Sequence, residues 1–300
     1  MNAHSVAIVD CHVHFVDVQV CSYPIFQHRS AALESLVGDY SALPRRYLPE
    51  DYLKEVGGFK VVKTIWAEFM SDDPVGEASW AQSLSHQNGH PHGLIVQADF
   101  LSSEIGRVID SYGSLPRVRA VRQHLTFQPG SNLGAARPDL LEDSAWRERL
   151  ALLRKHDLRC EMEILAPQLP GFANAARVHP DIQFVLPLMG WPIDLTEAGH
   201  QAWKRDMKVL SGCKNVAVKI FGMECLFGLH WRIEQVRPWI LETIDFFGPE
   251  RCMFASHMPI GGLARSFQDI YGAYFDVVSD FTASDRQKLF HDTSTRVYGV

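Results

Sequence analysis

The chain has 300 residues, 46% of them hydrophobic and 21% charged, the ordinary composition of a globular protein. A core of that size needs no disulfides or structural metal, and the six cysteines (Cys11, Cys21, Cys160, Cys213, Cys225 and Cys252) form no CxxC or paired spacing. A formal charge of −6 argues against a nucleic-acid backbone as partner, and no stretch approaches a membrane span.

Asp10 and two histidines interrupt the N-terminal apolar stretch, so it does not read as a signal peptide. Reduced thiols in the cytoplasm and a small-molecule substrate are therefore expected, with a homodimer left open.

Strand-like runs alternate with amphipathic stretches along the whole chain. Strands are predicted at 6–10, 61–67, 93–98, 118–123, 159–165, 182–186, 216–220 and 252–256. Helical patterns fall at 75–87, 104–112, 146–156, 168–179, 198–210 and 232–246, separated by turn residues such as Gly57-Gly58, Pro180-Asp181 and Gly248-Pro249. Eight strands, most trailed by a helix, predict a (β/α)8 TIM barrel forming one domain over residues 1–300. The first unit departs from the pattern. Residues 17–55 read as a long irregular segment, and a loop of that length is usually functional.

In such a barrel the chemistry sits beyond the C-terminal ends of the strands. There the sequence places His12 and His14, then Glu68, Asp99, Arg122 with His124, Glu161 with Glu163, Lys219, and Ser256-His257. The sixth strand is the exception, ending in Pro187-Leu188-Met189-Gly190.

His12 and His14, two residues apart, share one side of a strand end. They suit ligation of one divalent ion, or hydrogen bonding to neighbouring loops. His257 suits activation of water, since free imidazole titrates near about 6.5, or service as a third nitrogen ligand, or a buried bond to backbone. Arg122 suits bidentate capture of a carboxylate. Lys219, inward within Val216–Ile220, is expected at the mouth to polarise a carbonyl, or in an internal ion pair with Glu161 or Glu163.

Other features are discounted. The run HQNGHPHG (86–93) precedes the third strand and reads as a solvated loop at the opposite end of the barrel. Gly261-Gly262 is weak as a phosphate cradle, and no GxSxG elbow accompanies Ser256. FGMECLFGLHW (221–231) reads as an apolar loop, a pocket wall or a lid, and suggests a partly apolar substrate.

Six pieces in order carry a resemblance. They are DCHVHF (10–15) with Tyr23-Pro24, YLPEDYL (47–53), WAEFMSDDPVGEASW (66–80), VRAVRQHL (118–125), NVAVKIFGM (215–223), and RCMFASHMP through FHDTSTRVYGV at the C-terminus. Together they resemble the amidohydrolase superfamily, in the branch holding sugar-lactone and pyrone-dicarboxylate lactonases. Two departures stand out. Relatives usually carry a histidine where Leu188 stands, and an aspartate or asparagine where His257 stands. The resemblance implies that this aspartate is the general base and, in metal-dependent members, a metal ligand. Both changes weaken a tightly held metal but leave His257 able to activate water.

The resulting expectation is hydrolysis of a small cyclic ester bearing a carboxylate or several hydroxyls. His257 is the expected base, His12, His14 and Lys219 polarise the carbonyl, and Arg122 anchors an acid group, with His124, Glu68 and Glu163 as further substrate contacts. No cofactor is expected to be required, with one zinc ion on His12, His14 and His257 as the alternative. Rival expectations are a metal-dependent decarboxylase of an aromatic or muconate-type acid, a hydrolase of a cyclic amide, and a non-catalytic binding protein.

Overall fold

The computed structural model describes residues 5–127 and 137–300. Eight parallel strands, β1 (Ala7–Val13), β2 (Lys60–Ala67), β3 (Gly93–Gln97), β4 (Val118–His124), β5 (Arg159–Glu163), β6 (Phe184–Leu186), β7 (Val216–Ile220) and β8 (Cys252–Phe254), pair in sequence order. Helices surround them, which gives the (β/α)8 barrel that alternation of strand and helix predicted.

All eight strands fall where β-branched and apolar runs placed them. The helices follow, at 74–88, 105–113, 169–178, 197–211 and 233–247. One expectation shifts: 146–156 is an α-helix over 144–149 that tightens into a 3₁₀ turn over 150–156.

The seam between β8 and β1 is closed beyond the end of β8. The His257 N–H donates to the His12 carbonyl at 3.0 Å, and the His14 N–H donates to the Met258 carbonyl at 2.8 Å. Asp10 locks the same seam. Its carboxylate accepts from the Ser256 N–H (2.9 Å), the Ser256 hydroxyl (2.5 Å) and the Tyr52 hydroxyl (2.8 Å). Ser256 is thus a structural tie, consistent with the missing nucleophile elbow.

The segment 17–55 is more ordered than its composition suggested. It holds helices at Pro24–Gln27, Ala31–Val37 and Pro49–Glu55, and Arg46–Tyr47 pairs antiparallel with Val16–Asp17. Helices this short show too few turns for their period to be read from sequence. The apolar faces of the first two pack in a satellite cluster with Tyr23, Tyr40, Leu43, Phe69 and Ile260, which lays them over the barrel mouth, while Tyr52 of the third joins the main core.

At the opposite end, the His90–His92 stretch is half-buried rather than solvated. His90 Nδ1 lies 3.0 Å from Thr64 Oγ1, under β2.

Candidate active site

Alternation along β1 turns Asp10, His12 and His14 to one side of the strand. The turn after β8 brings His257 to meet them, with its backbone in the left-handed region at φ +61°. The His12 and His14 ring centroids are 4.9 Å apart, and each lies 5.3 Å from that of His257. Imidazoles from both ends of the chain therefore share one site.

Their hydrogen bonds assign the ring protons. His14 Nδ1 donates to the Ala67 carbonyl at 2.9 Å, which leaves Nε2 as a buried lone pair with no partner. His257 Nδ1 lies 2.5 Å from Glu224 Oε1, which leaves Nε2 of that ring as the second lone pair of the site. His12 stacks on Phe221 at 4.2 Å. Burial above all holds both His12 and His14 far below the ordinary imidazole range; Lys219 adds most to the effect at His12, and the His257 ring does so at His14. Both rings are neutral. His14 was expected to polarise a carbonyl, but its fixed tautomer makes it an acceptor.

Glu224 was not foreseen. It sits in the first turn of a short helix, Met223–Phe227, inside the stretch read as an apolar loop. Gly222 opens that helix at φ +74°, where a Cβ would collide with the Leu188 side chain. The available signal was a carboxylate within an otherwise apolar run, which burial permits only with a partner.

Lys219 also departs from expectation. It does point inward, but it lies beneath the site with no exposed surface rather than at the mouth. Its ammonium pairs with Glu161 Oε2 at 2.8 Å and approaches His12 Nδ1 at 3.2 Å, while the Tyr298 hydroxyl donates to the same Glu161 oxygen at 3.0 Å. The ion-pair alternative is the one realised, with Glu161 as the partner.

Arg122 is likewise engaged. Its Nε donates to Glu68 Oε1 at 2.7 Å, its Nη2 to the Glu68 carbonyl at 2.9 Å, and its Nη1 lies 3.5 Å from Glu163 Oε2. The guanidinium expected to grip a substrate acid is held by the protein's own carboxylates. His124 sits between the same two acids, with Nε2 2.8 Å from Glu68 Oε1 and Nδ1 2.9 Å from Glu163 Oε1. Burial pulls its pKa down, but Glu163 and Glu68 outweigh that and hold it up at about 9. Glu68 is held low: burial opposes its charge, and Arg122 and His124 overcome that.

Above these groups lies a cavity of about 470 Å³, within the range of small-molecule sites. His14, His257, Glu68, Arg122, His124 and Glu163 line it, whereas His12 and Lys219 lie behind the wall. Leu188 lines it too, an apolar surface where the resemblance led one to expect histidine. Gly261-Gly262 cradles nothing, because both N–H groups bond within their own turn, to His257 and Pro259 carbonyls.

The donor set suits one divalent ion such as zinc. The ligand atoms of His12, His14 and His257 lie within 4.8 Å of one another, and the Nε2 of His14 is an orphan with its other nitrogen fixed. His12 has two settings. When it accepts from Lys219 at Nδ1, its proton sits on Nε2. With the proton on Nδ1, facing the unpartnered Glu161 Oε1 at 3.8 Å, its Nε2 joins the other two lone pairs.

An eight-stranded parallel barrel whose mouth gathers imidazoles and carboxylates around a cavity is an enzyme of the hydrolytic barrel type. The sequence profile of the amidohydrolase family matches residues 9–300, and the chain belongs to that family as a hydrolase. Among its relatives, the uncharacterized protein y4mH of Sinorhizobium fredii is 31% identical, over 98% of this chain and 99% of its own length. An L-fucono-1,5-lactonase of Burkholderia ambifaria is 26% identical over 60% of this chain and 59% of its own. The crystal structure of an amidohydrolase from Burkholderia multivorans with bound zinc superposes with a TM-score of 0.80 at 19% identity, over 98% of this chain and 99% of that one. Among the described residues no helix is long and apolar enough to cross a membrane.

Proposed function

We propose that the protein opens a small cyclic ester by attack of water at the barrel mouth. The observation that carries this reading is the convergence of two imidazole lone pairs, His14 Nε2 and His257 Nε2, with Glu224 behind the second. A water donating to His257 Nε2 is oriented by His14 as a second acceptor. As its oxygen bonds to the ester carbon, His257 takes the proton and Glu224 stabilises the imidazolium that forms. The ring C–O bond breaks, and His257 returns the proton to the departing alkoxide, giving a hydroxy acid.

Charge developing on the carbonyl oxygen is met by Arg122 Nη1, on a side chain that lines the cavity, where Glu163 Oε2 and His12 Nε2 each stand 3.5 Å from that nitrogen. His12, His14 and His257 are the residues that would hold a divalent ion, which when bound supplies Lewis-acid polarisation of a carbonyl oxygen.

The lactonase named among the relatives supports ester chemistry. Decarboxylation of an aromatic acid ranks second, because it needs a two-point grip on a carboxylate and both Nε and Nη2 of Arg122 are bound to Glu68. The test is hydrolysis of a lactone panel by purified protein with and without chelator. Most activity is expected to survive chelation, and His257→Ala is expected to lose about 10²–10⁴-fold in kcat. A fully active His257→Ala protein removes the base, and activity that vanishes with chelator and returns with zinc transfers polarisation to the ion.

A further inference from the structure

The cavity is a composite of two unlike walls. Of the ionised groups lining it, the cations are Arg122 and His124 and the carboxylates are Glu68, Glu163 and Asp99. Each cation is already bound to Glu68 and Glu163. The buried polar lining atoms without a partner, His14 Nε2 and Gln97 Oε1, are acceptors. Among the described residues the polar wall therefore offers no cation free to hold a substrate carboxylate at two points, and its summed charge is not positive.

The rest of the lining is mostly apolar. The segment over the mouth contributes Ile25, Leu33, Leu36 and Val37, and the turn after β6 contributes Leu188 and Trp191. A ring hydroxylated all round would set some hydroxyls against this carbon surface, beyond reach of the acceptors on the polar side, which costs free energy where no partner replaces water.

We infer that the substrate is an uncharged lactone carrying an alkyl arm, its ester at the histidines and its arm against the 25–37 wall. This rests on the lactone reading above and narrows it: the carboxylate and sugar-like classes expected from sequence are both disfavoured. Burial of the arm predicts a gain of about two- to fourfold in affinity for each methylene, until the wall is filled.

Two measurements separate this inference from the reading it rests on. The first is kcat/KM for γ-butyrolactone, γ-nonalactone, glucono-1,5-lactone and 2-pyrone-4,6-dicarboxylate. The second is calorimetric binding of cyclopentanone and 2-pentylcyclopentanone, ketones with no ester to open. γ-Nonalactone is expected to be the best substrate, and the pentyl ketone to bind at least tenfold more tightly than the bare ring. Leu36→Gln is expected to shrink that ratio severalfold. Preference for the gluconolactone or the dicarboxylate, or equal binding of the two ketones, overturns the alkyl-arm assignment. Tight, arm-dependent ketone binding with no lactone opened upholds the pocket assignment and refutes ester hydrolysis instead.

Discussion

Lys219 and Glu161 have no solvent contact, so each charge depends on the other. Removing one partner of such a pair is more damaging than the pair is stabilising. Lys219→Met is expected to cost about 3–5 kcal/mol, read as a fall in urea midpoint, with partial recovery on adding Glu161→Gln. A midpoint unchanged in the single variant would falsify the pairing. Glu224 acts on activity instead. Glu224→Gln presents an amide that no longer favours a proton on His257 Nδ1, so kcat is expected to fall about 10²–10⁴-fold with KM and folding little changed. Glu224→Asp, which keeps the charge, is expected to restore part of that loss. Five of the six non-glycine residues at positive φ among the described residues also report on the site: Met70, Leu188, Met189, Trp191 and His257 follow the C-terminal ends of strands, whereas Asp157 precedes β5. Backbone held there costs of order 1–3 kcal/mol per residue, and such strain gathers where geometry serves a site.

At the scale of elements, two short helices decide what the cavity is. Met223–Phe227 carries Glu224 to His257, and its entry depends on Gly222. Gly222→Ala adds backbone strain and a collision with Leu188, so lactone turnover is expected to fall while the barrel still folds; wild-type turnover in that variant would show the helix start to be unconstrained. Helix Ala31–Val37 supplies the apolar wall and is capped by Ser30, whose hydroxyl accepts from the Leu33 N–H at 3.2 Å. Ser30→Ala is expected to weaken that helix by about 1 kcal/mol. Hydrogen exchange should accelerate across 31–37 and leave the β-strands unchanged, which distinguishes local fraying from global loss.

Across the whole molecule, the Glu68–Arg122–His124–Glu163 quartet ties β4 and β5 to the segment that leaves β2. The sign of its pH dependence follows from His124, whose pKa rises from an ordinary value near about 6.5 to about 9 on folding. Its contribution is fully present below about 6.5 and is lost as pH rises through about 9, on the order of 2–3 kcal/mol. His124→Gln should therefore be less stable than the parent at pH 6 and nearly equal to it at pH 10. Equal stability at both values would mean that the ring is neutral throughout. Glu68 works at the other extreme: its lowered pKa gives stability present above the carboxylate range and lost on acidification.

The sequence by itself determined the architecture, because strand period, helix period and turn residues are local properties that repeat eight times. It also placed the polar residues at the strand ends, since period-two alternation sends His12, His14, Arg122, His124, Glu161, Glu163 and Lys219 to one side. Only the tertiary structure decided who pairs with whom. Whether Arg122 meets a substrate or Glu68, how deep Lys219 lies, and that Glu224 reaches His257 all depend on distances between segments far apart in the chain. Hydrogen bonds also fix what each imidazole can do, and a ring that donates at Nδ1 is an acceptor at Nε2 whatever its spacing. The wall built by 25–37 was hidden for a related reason: helices of one or two turns are stabilised by the surface they cover, and that surface exists only once the barrel has closed.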